Sequence, residues 1–131
     1  MKTEAEVRAW TLNFLAPWND HDKAAVLATL PEHFEWQFTV GTDPNGTVYR
    51  GKKEIGEALD KLFATIPDLR YDIVALHAGK NHVVMELRVS GNNRETGMAL
   101  NYQACDIVLF ERDMLREKRS YRKVVSPKAS G

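Results

Sequence analysis

The sequence predicts an α+β domain in which helices come first and an antiparallel sheet follows. Three observations carry this reading. Apolar residues recur at helical spacing in three segments before Pro67; from Phe34 a period of two appears and dominates the second half; and the late strand-like segments are joined by the short connections "AGKN", "GNNRETG" and "ERDM". Strands joined this tightly pair antiparallel, and helices followed by a meander is the order of a domain whose helices cover one face of a bent sheet.

The first helix has a readable start, because Thr3 and Glu6 have the spacing of a capping box. Val7, Trp10, Phe14 and Leu15 then form one apolar stripe, and Pro17 is expected to end it. Asp22 is placed to cap a second short helix, "KAAVLATL", which stops before Pro31 and forms a hairpin with the first. Phe34, Trp36 and Phe38 alternate with Glu35, Gln37 and Thr39, the pattern of a half-buried strand. The turn-rich "GTDPNGTVYRG" reads as a loop or loose hairpin. In "KKEIGEALDKLFATIP" a third helix presents Ile55, Leu59, Leu62, Phe63 and Ile66 on one face, and Pro67 closes it. The segments "LRYDIVALH", "HVVMELRVS", "MALNYQACDIVLF" and "LREKRSYRKVV" are the remaining strands. Residues 1–125 therefore read as a single domain and 126–131 as a disordered tail.

A chain of 131 residues buries roughly two-thirds of its unfolded surface, enough for one core. Eighteen Lys and Arg balance 18 Asp and Glu, so no positive field draws nucleic acid, and the expected partner is a small hydrophobic molecule. No signal-like apolar region and no membrane-length apolar run occur, which predicts a cytoplasmic protein without a membrane partner. Cys105, the single cysteine, reads as a small buried hydrophobe. His21, His33, His77 and His82 lack metal-ligand spacing, so neither a metal nor a cofactor is expected.

Four stretches in order, "WNDHD", "LPEHFEWQ", "YRGKKEI" and "CDIVLFERDML", resemble the nuclear-transport-factor-2-like superfamily, in its SnoaL-like polyketide cyclase and ketosteroid isomerase branch. The resemblance implies a cystatin-like cone, a strongly curved antiparallel sheet packed on N-terminal helices around an apolar cavity. It also implies a homodimer through the open sheet face and cofactor-free isomerase, cyclase or dehydratase chemistry. Carried over by motif, Asp106 falls on the aspartic acid of the ketosteroid isomerase oxyanion hole. Phe38 stands where that enzyme's carboxylate base would be, and its tyrosine, expected near Phe14, is missing. The Arg and paired Asp residues of limonene epoxide hydrolases are not matched. Asp113 replaces a hairpin glycine and tolerates the left-handed backbone that such a turn requires.

Strand parity places Tyr102, Ala104, Asp106, Val108 and Phe110 on one face, and the resemblance selects that face as inward. The candidate catalytic residues are Asp106 and Tyr102, about 7 Å apart along the strand. Phe14, Trp18, Trp36, Phe38, Leu59, Phe63, Met85, Leu87 and Val108 are the expected substrate-binding wall, with Trp18 closing the mouth. Desolvation there raises a carboxyl's pKa and makes it a hydrogen-bond donor or acid. Structural alternatives are that Asp106 bonds backbone or Ser120, or faces water. In "REKRSYRK" the cations read as an exposed face, with Lys118 or Arg122 turned inward as the second case. Two functions follow: an acid/base enzyme that lacks its second carboxylate, or a non-catalytic module that binds a small ligand or dimerises.

Overall fold

The computed structural model describes residues 3–127. Its elements are α1 (Glu4–Asn19), α2 (Lys23–Ala28), β1 (Glu35–Gln37), β2 (Val48–Arg50), α3 (Gly51–Thr65), β3 (Arg70–Ala78), β4 (His82–Asn92), β5 (Ala99–Glu111) and β6 (Met114–Arg122). One six-stranded sheet runs in the order β2-β1-β6-β5-β4-β3. All pairs are antiparallel except β1 with β6, whose parallel register sets Trp36 beside Lys118. The fold is thus the expected α+β cystatin-like cone, a curved sheet against N-terminal helices. Of the expected tail, residues 126 and 127 carry no regular structure and 128–131 lie outside the described residues.

The capping box forms as expected, with Glu6 N–H donating to Thr3 Oγ1. Pro17, however, does not end α1, which continues through it to Asn19. A proline in the last turn forfeits one backbone bond at a cost of about 3 kcal/mol. The extra turn carries Trp18 onto the buried stripe of Val7, Thr11, Phe14 and Leu15, where it is 1% exposed. Burying an indole of ~150–250 Å² stabilises by roughly 4–6 kcal/mol, so the helix gains by continuing. α2 ends earlier than expected: Thr29 and Leu30 donate to Val26 and Leu27, a tightening into three-residue turns.

The "WNDHD" motif turns out to be the clamp between helices and sheet. Asn19 donates from Nδ2 to the Tyr71 carbonyl (3.0 Å) and accepts from the Tyr71 N–H (2.8 Å), covering the free edge of β3 as another strand would. His21 Nε2 donates to the Leu69 carbonyl (2.8 Å), and Asp22 caps α2 through Ala25 N–H. The turn "GTDPNGTVYRG" is a hairpin after all, since Trp36 pairs with Tyr49. Between β5 and β6, Arg112 and Asp113 both take positive φ (52° and 65°), a tight turn made without glycine.

One irregularity decides what the sheet presents to the helices. Leu109 pairs with Glu117 while Phe110 pairs with Leu115, so Arg116 is an extra residue, a β-bulge. Strict alternation from the inward Leu115 would aim Glu117, Arg119 and Tyr121 inward. The bulge reverses parity, setting Lys118, Ser120 and Arg122 opposite Val108, Asp106 and Ala104.

Candidate functional site

The inner faces of β3 to β6, together with β1 and the end of α3, enclose a cavity of about 110 Å³. Trp36, Phe38 and the residues after it, Thr39 and Val40, form one wall; Leu62, Ile66 and Leu69 form a second. Tyr71, Leu87, Val89, Leu100, Tyr102 and Ala104 contribute the sheet wall. Exposed Val40 and half-buried Thr39 and Arg122 mark its outer end, and buried Trp36, Asp106 and Lys118 its inner end.

Asp106 points inward, as parity predicts, and it is buried. It is not a lone acid. Lys118 Nζ lies 3.5 Å from Asp106 Oδ2, with side chains 3% and 6% exposed. The same ammonium sits 3.7 Å from the centre of the Trp18 ring and 4.9 Å from that of Trp36, so two aromatic faces solvate it on sides where water is excluded. Burial pushes the Lys118 pKa down, opposed by the charge and hydrogen bond of Asp106. Ser120, although opposite Asp106, accepts instead from Trp36 Nε1 at 3.2 Å, which fixes the indole.

Two phenols complete the polar wall. Burial chiefly, with the Asp106 charge adding to it, pushes Tyr71 above tyrosine's ordinary range. Tyr102 is also raised by burial; Arg122 opposes and Asp106 reinforces the shift. Both hydroxyls are therefore donors at neutral pH. Arg122 stacks on Tyr102, its guanidinium carbon 3.6 Å from the ring centre.

Of the eleven sequence candidates, Asp106, Tyr102, Trp36, Phe38 and Leu87 line the cavity. Phe14, Leu59, Met85 and Val108 are buried in the packed core and do not reach it. Trp18 does not close the mouth; the continuation of α1 buries it beneath Lys118. Phe63 stacks on His21, ring centres 4.4 Å apart, and serves the α1–α2 connection. Sequence reading left out Tyr71 and the Leu62–Leu69 wall, and it considered Ser120 only as a partner for Asp106, which it does not bond. Tyr71 had a signal: in "LRYDIVALH" it shares parity with the apolar Leu69 and Ile73. Lys118 and Arg122, the second case considered for the basic run, are the cations that face inward. Cys105 is half-buried on the outer face, and burial raises its pKa, as befits an inert thiol. Among the described residues no cluster of three or more His, Cys, Asp and Glu is arranged to hold a metal, and no helix is long and apolar enough to cross a membrane.

A cystatin-like cone with a partly polar cavity between sheet and helix defines the class. The chain belongs to the SnoaL-like domain family, whose model matches residues 12–117. No curated protein matches it. Similar solved structures include TsrD from Streptomyces laurentii, at 20% identity and TM-score 0.73, covering 93% of this chain and 91% of that one. A SnoaL-like protein from Burkholderia thailandensis is 21% identical, with TM-score 0.72 and coverage of 95% and 100%. A cystatin-fold protein from Novosphingobium aromaticivorans is 17% identical, with TM-score 0.72 and coverage of 88% and 97%. At such identities the likeness establishes the fold.

Proposed function

We propose that the cavity binds a small hydrophobic carbonyl compound and that Asp106 and Lys118 move a proton on it without a cofactor, as an isomerase, cyclase or dehydratase does. The observation that carries this reading is the buried pair at 3.5 Å, which supplies the second proton-transfer partner missing from the sequence motif. One proton lies between the two groups. Asp106 as carboxylate takes a proton from the carbon next to the carbonyl, while the Lys118 ammonium or the Tyr102 hydroxyl donates to the oxygen on which charge develops. Low dielectric strengthens each of these interactions, and the aromatic walls hold the ring.

The cavity's 110 Å³ falls short of the ~150 Å³ of a closed apolar cavity that accommodates benzene, but its outer end is open beside Val40 and Arg122, so a six-membered ring that extends into the mouth is a suitable probe. Wild-type protein should accelerate deuterium exchange next to the carbonyl of cyclohexanone, followed by NMR in heavy water, by ~100-fold or more over buffer. Asp106→Asn should return the rate to that of buffer. Quenching of tryptophan fluorescence by cyclohexanone with no exchange above buffer would instead identify a binding module.

The homodimer is part of the same proposal. Val84, Cys105 and Tyr121 border a second concavity of about 470 Å³ on the outer sheet face, and Tyr121 is 53% exposed there. Two-fold pairing through this face would cover it. Sedimentation should give twice the chain mass, and Tyr121→Glu should give the monomer; a monomeric wild type at high concentration would refute it.

A further inference from the structure

We propose that the occupant of the cavity is an organic monoanion, a small ring bearing a carboxylate that Arg122 holds at the outer end while a carbonyl or hydroxyl faces Asp106 and Lys118. This rests on the reading of the cavity as a ligand site and names the class of ligand. The argument begins with charge. Among the described residues, the charged side chains on the cavity wall are Asp106, Lys118 and Arg122. Asp106 and Lys118 sum to zero whichever of them carries their shared proton, so the wall as a whole has one uncompensated positive charge, on Arg122.

Arg122 is also equipped to use that charge. Its Nε donates to the neighbouring Lys123 carbonyl at 3.3 Å, and no carboxylate among the described residues forms an ion pair with it. A guanidinium stacked on a ring keeps its remaining N–H donors in its own plane, at the edge, where a carboxylate meets them two at a time. Lys118 is engaged differently, with Asp106 on one side and two indoles on others.

Position supplies the polarity. Lys118, Ser120 and Arg122 are successive inward residues of β6, so the two cations originate about 13 Å apart along the strand. Half-buried Arg122 is at the outer end, where a carboxylate stays partly hydrated, and the buried pair is at the inner end, suited to a neutral polar group. Ser120 lies between the two cations on β6, with Trp36 beside Lys118 and Leu87 in line with Ala104 and Arg122. The net positive charge disfavours a cationic ligand, and this chain's own cations already sit over the Trp36 and Tyr102 rings of the wall.

Calorimetric titration with para-hydroxybenzoate, para-hydroxybenzamide and para-hydroxybenzylamine tests the proposal, since the three share a ring and differ in the charge at one end. The carboxylate should bind wild type about 10-fold more tightly than the amide, the worth of a charge-assisted bond, and the amine should bind least. Arg122→Gln should bring the ratio of acid to amide to about one. Arg122→Lys keeps the charge without the planar fork and should lower the ratio several-fold, which decides the matter even if Arg122→Gln fails to fold. Equal affinity of wild type for acid and amide, or a preference unchanged in these variants, overturns the anion proposal and leaves the cavity reading standing. Failure of all three compounds to bind at about 10 mM overturns both.

Discussion

Two lysine–aspartate pairs sit in contrasting regions of the molecule. Lys23 on α2 meets Asp60 on α3 at 2.9 Å, with side chains 42% and 62% exposed. Lys118 meets Asp106 inside the cone at the longer distance of 3.5 Å, almost wholly buried. Distance alone would rank the first pair higher. Solvent reverses the order, because water screens the exposed charges and hydrates either partner when the other is lost, whereas the buried Asp106 carboxylate has no other ion pair among the described residues to replace Lys118. Contact length is therefore a poor guide to consequence here, and burial a good one.

The largest effect should come from breaking the inner pair on one side. Lys118→Met leaves Asp106 buried without its cation, and urea denaturation should show a loss of about 3–5 kcal/mol. The double variant Asp106→Leu/Lys118→Met removes both charges and should recover stability to within about 1 kcal/mol of wild type, while abolishing proton exchange. A single variant as stable as wild type would mean that water reaches the pair, and the contrast between the two regions would collapse.

A smaller effect, with a definite sign, should appear in the pH dependence. Burial lowers the Lys118 pKa beneath lysine's ordinary 10.5, so between the lowered value and 10.5 the unfolded chain binds more protons than the folded one. The contribution of Lys118 is thus a cost below that window that is relieved as pH rises through it. Tyr71 and Tyr102 act oppositely above tyrosine's ordinary 10.0, because their raised values keep the folded state protonated while the unfolded state ionises. Urea midpoints, wild type minus Lys118→Met, should rise as pH climbs toward lysine's ordinary 10.5. A flat difference would show that Asp106 offsets the desolvation of Lys118 completely.

The same contrast explains how much of the site was legible in the sequence. Where apolar and polar residues alternate, parity can be read: Met85, Leu87 and Val89 on β4 and Asp106 on β5 face inward as expected. In "LREKRSYRK" nearly every residue is polar, so alternation carries no signal and the bulge at Arg116 leaves no mark. That bulge turns Lys118 inward and makes the acid half of a pair. Pro17 misled for a related reason: a local rule was outweighed by the burial of Trp18, a tertiary term invisible to a reading of the helix alone. Asp22, Thr3 and Asp113 behaved as local chemistry dictates because nothing in the core competes for those positions.

The smallest effect should be at the outer pair. Lys23→Ala removes a contact shorter than the cavity pair, yet Asp60 remains largely exposed and is hydrated as soon as the cation is gone. The side-chain entropy released from a long lysine further reduces the cost. The expected loss is about 0.5 kcal/mol or less, and it should shrink in concentrated salt, whereas the loss from Lys118→Met should change little because the two buried side chains are shielded from the salt solution. Running both variants at low and high ionic strength thus separates the regions by response as well as by size. Equal salt sensitivity in the two would place the Asp106–Lys118 pair in contact with bulk water and remove the low-dielectric setting on which proton transfer there depends.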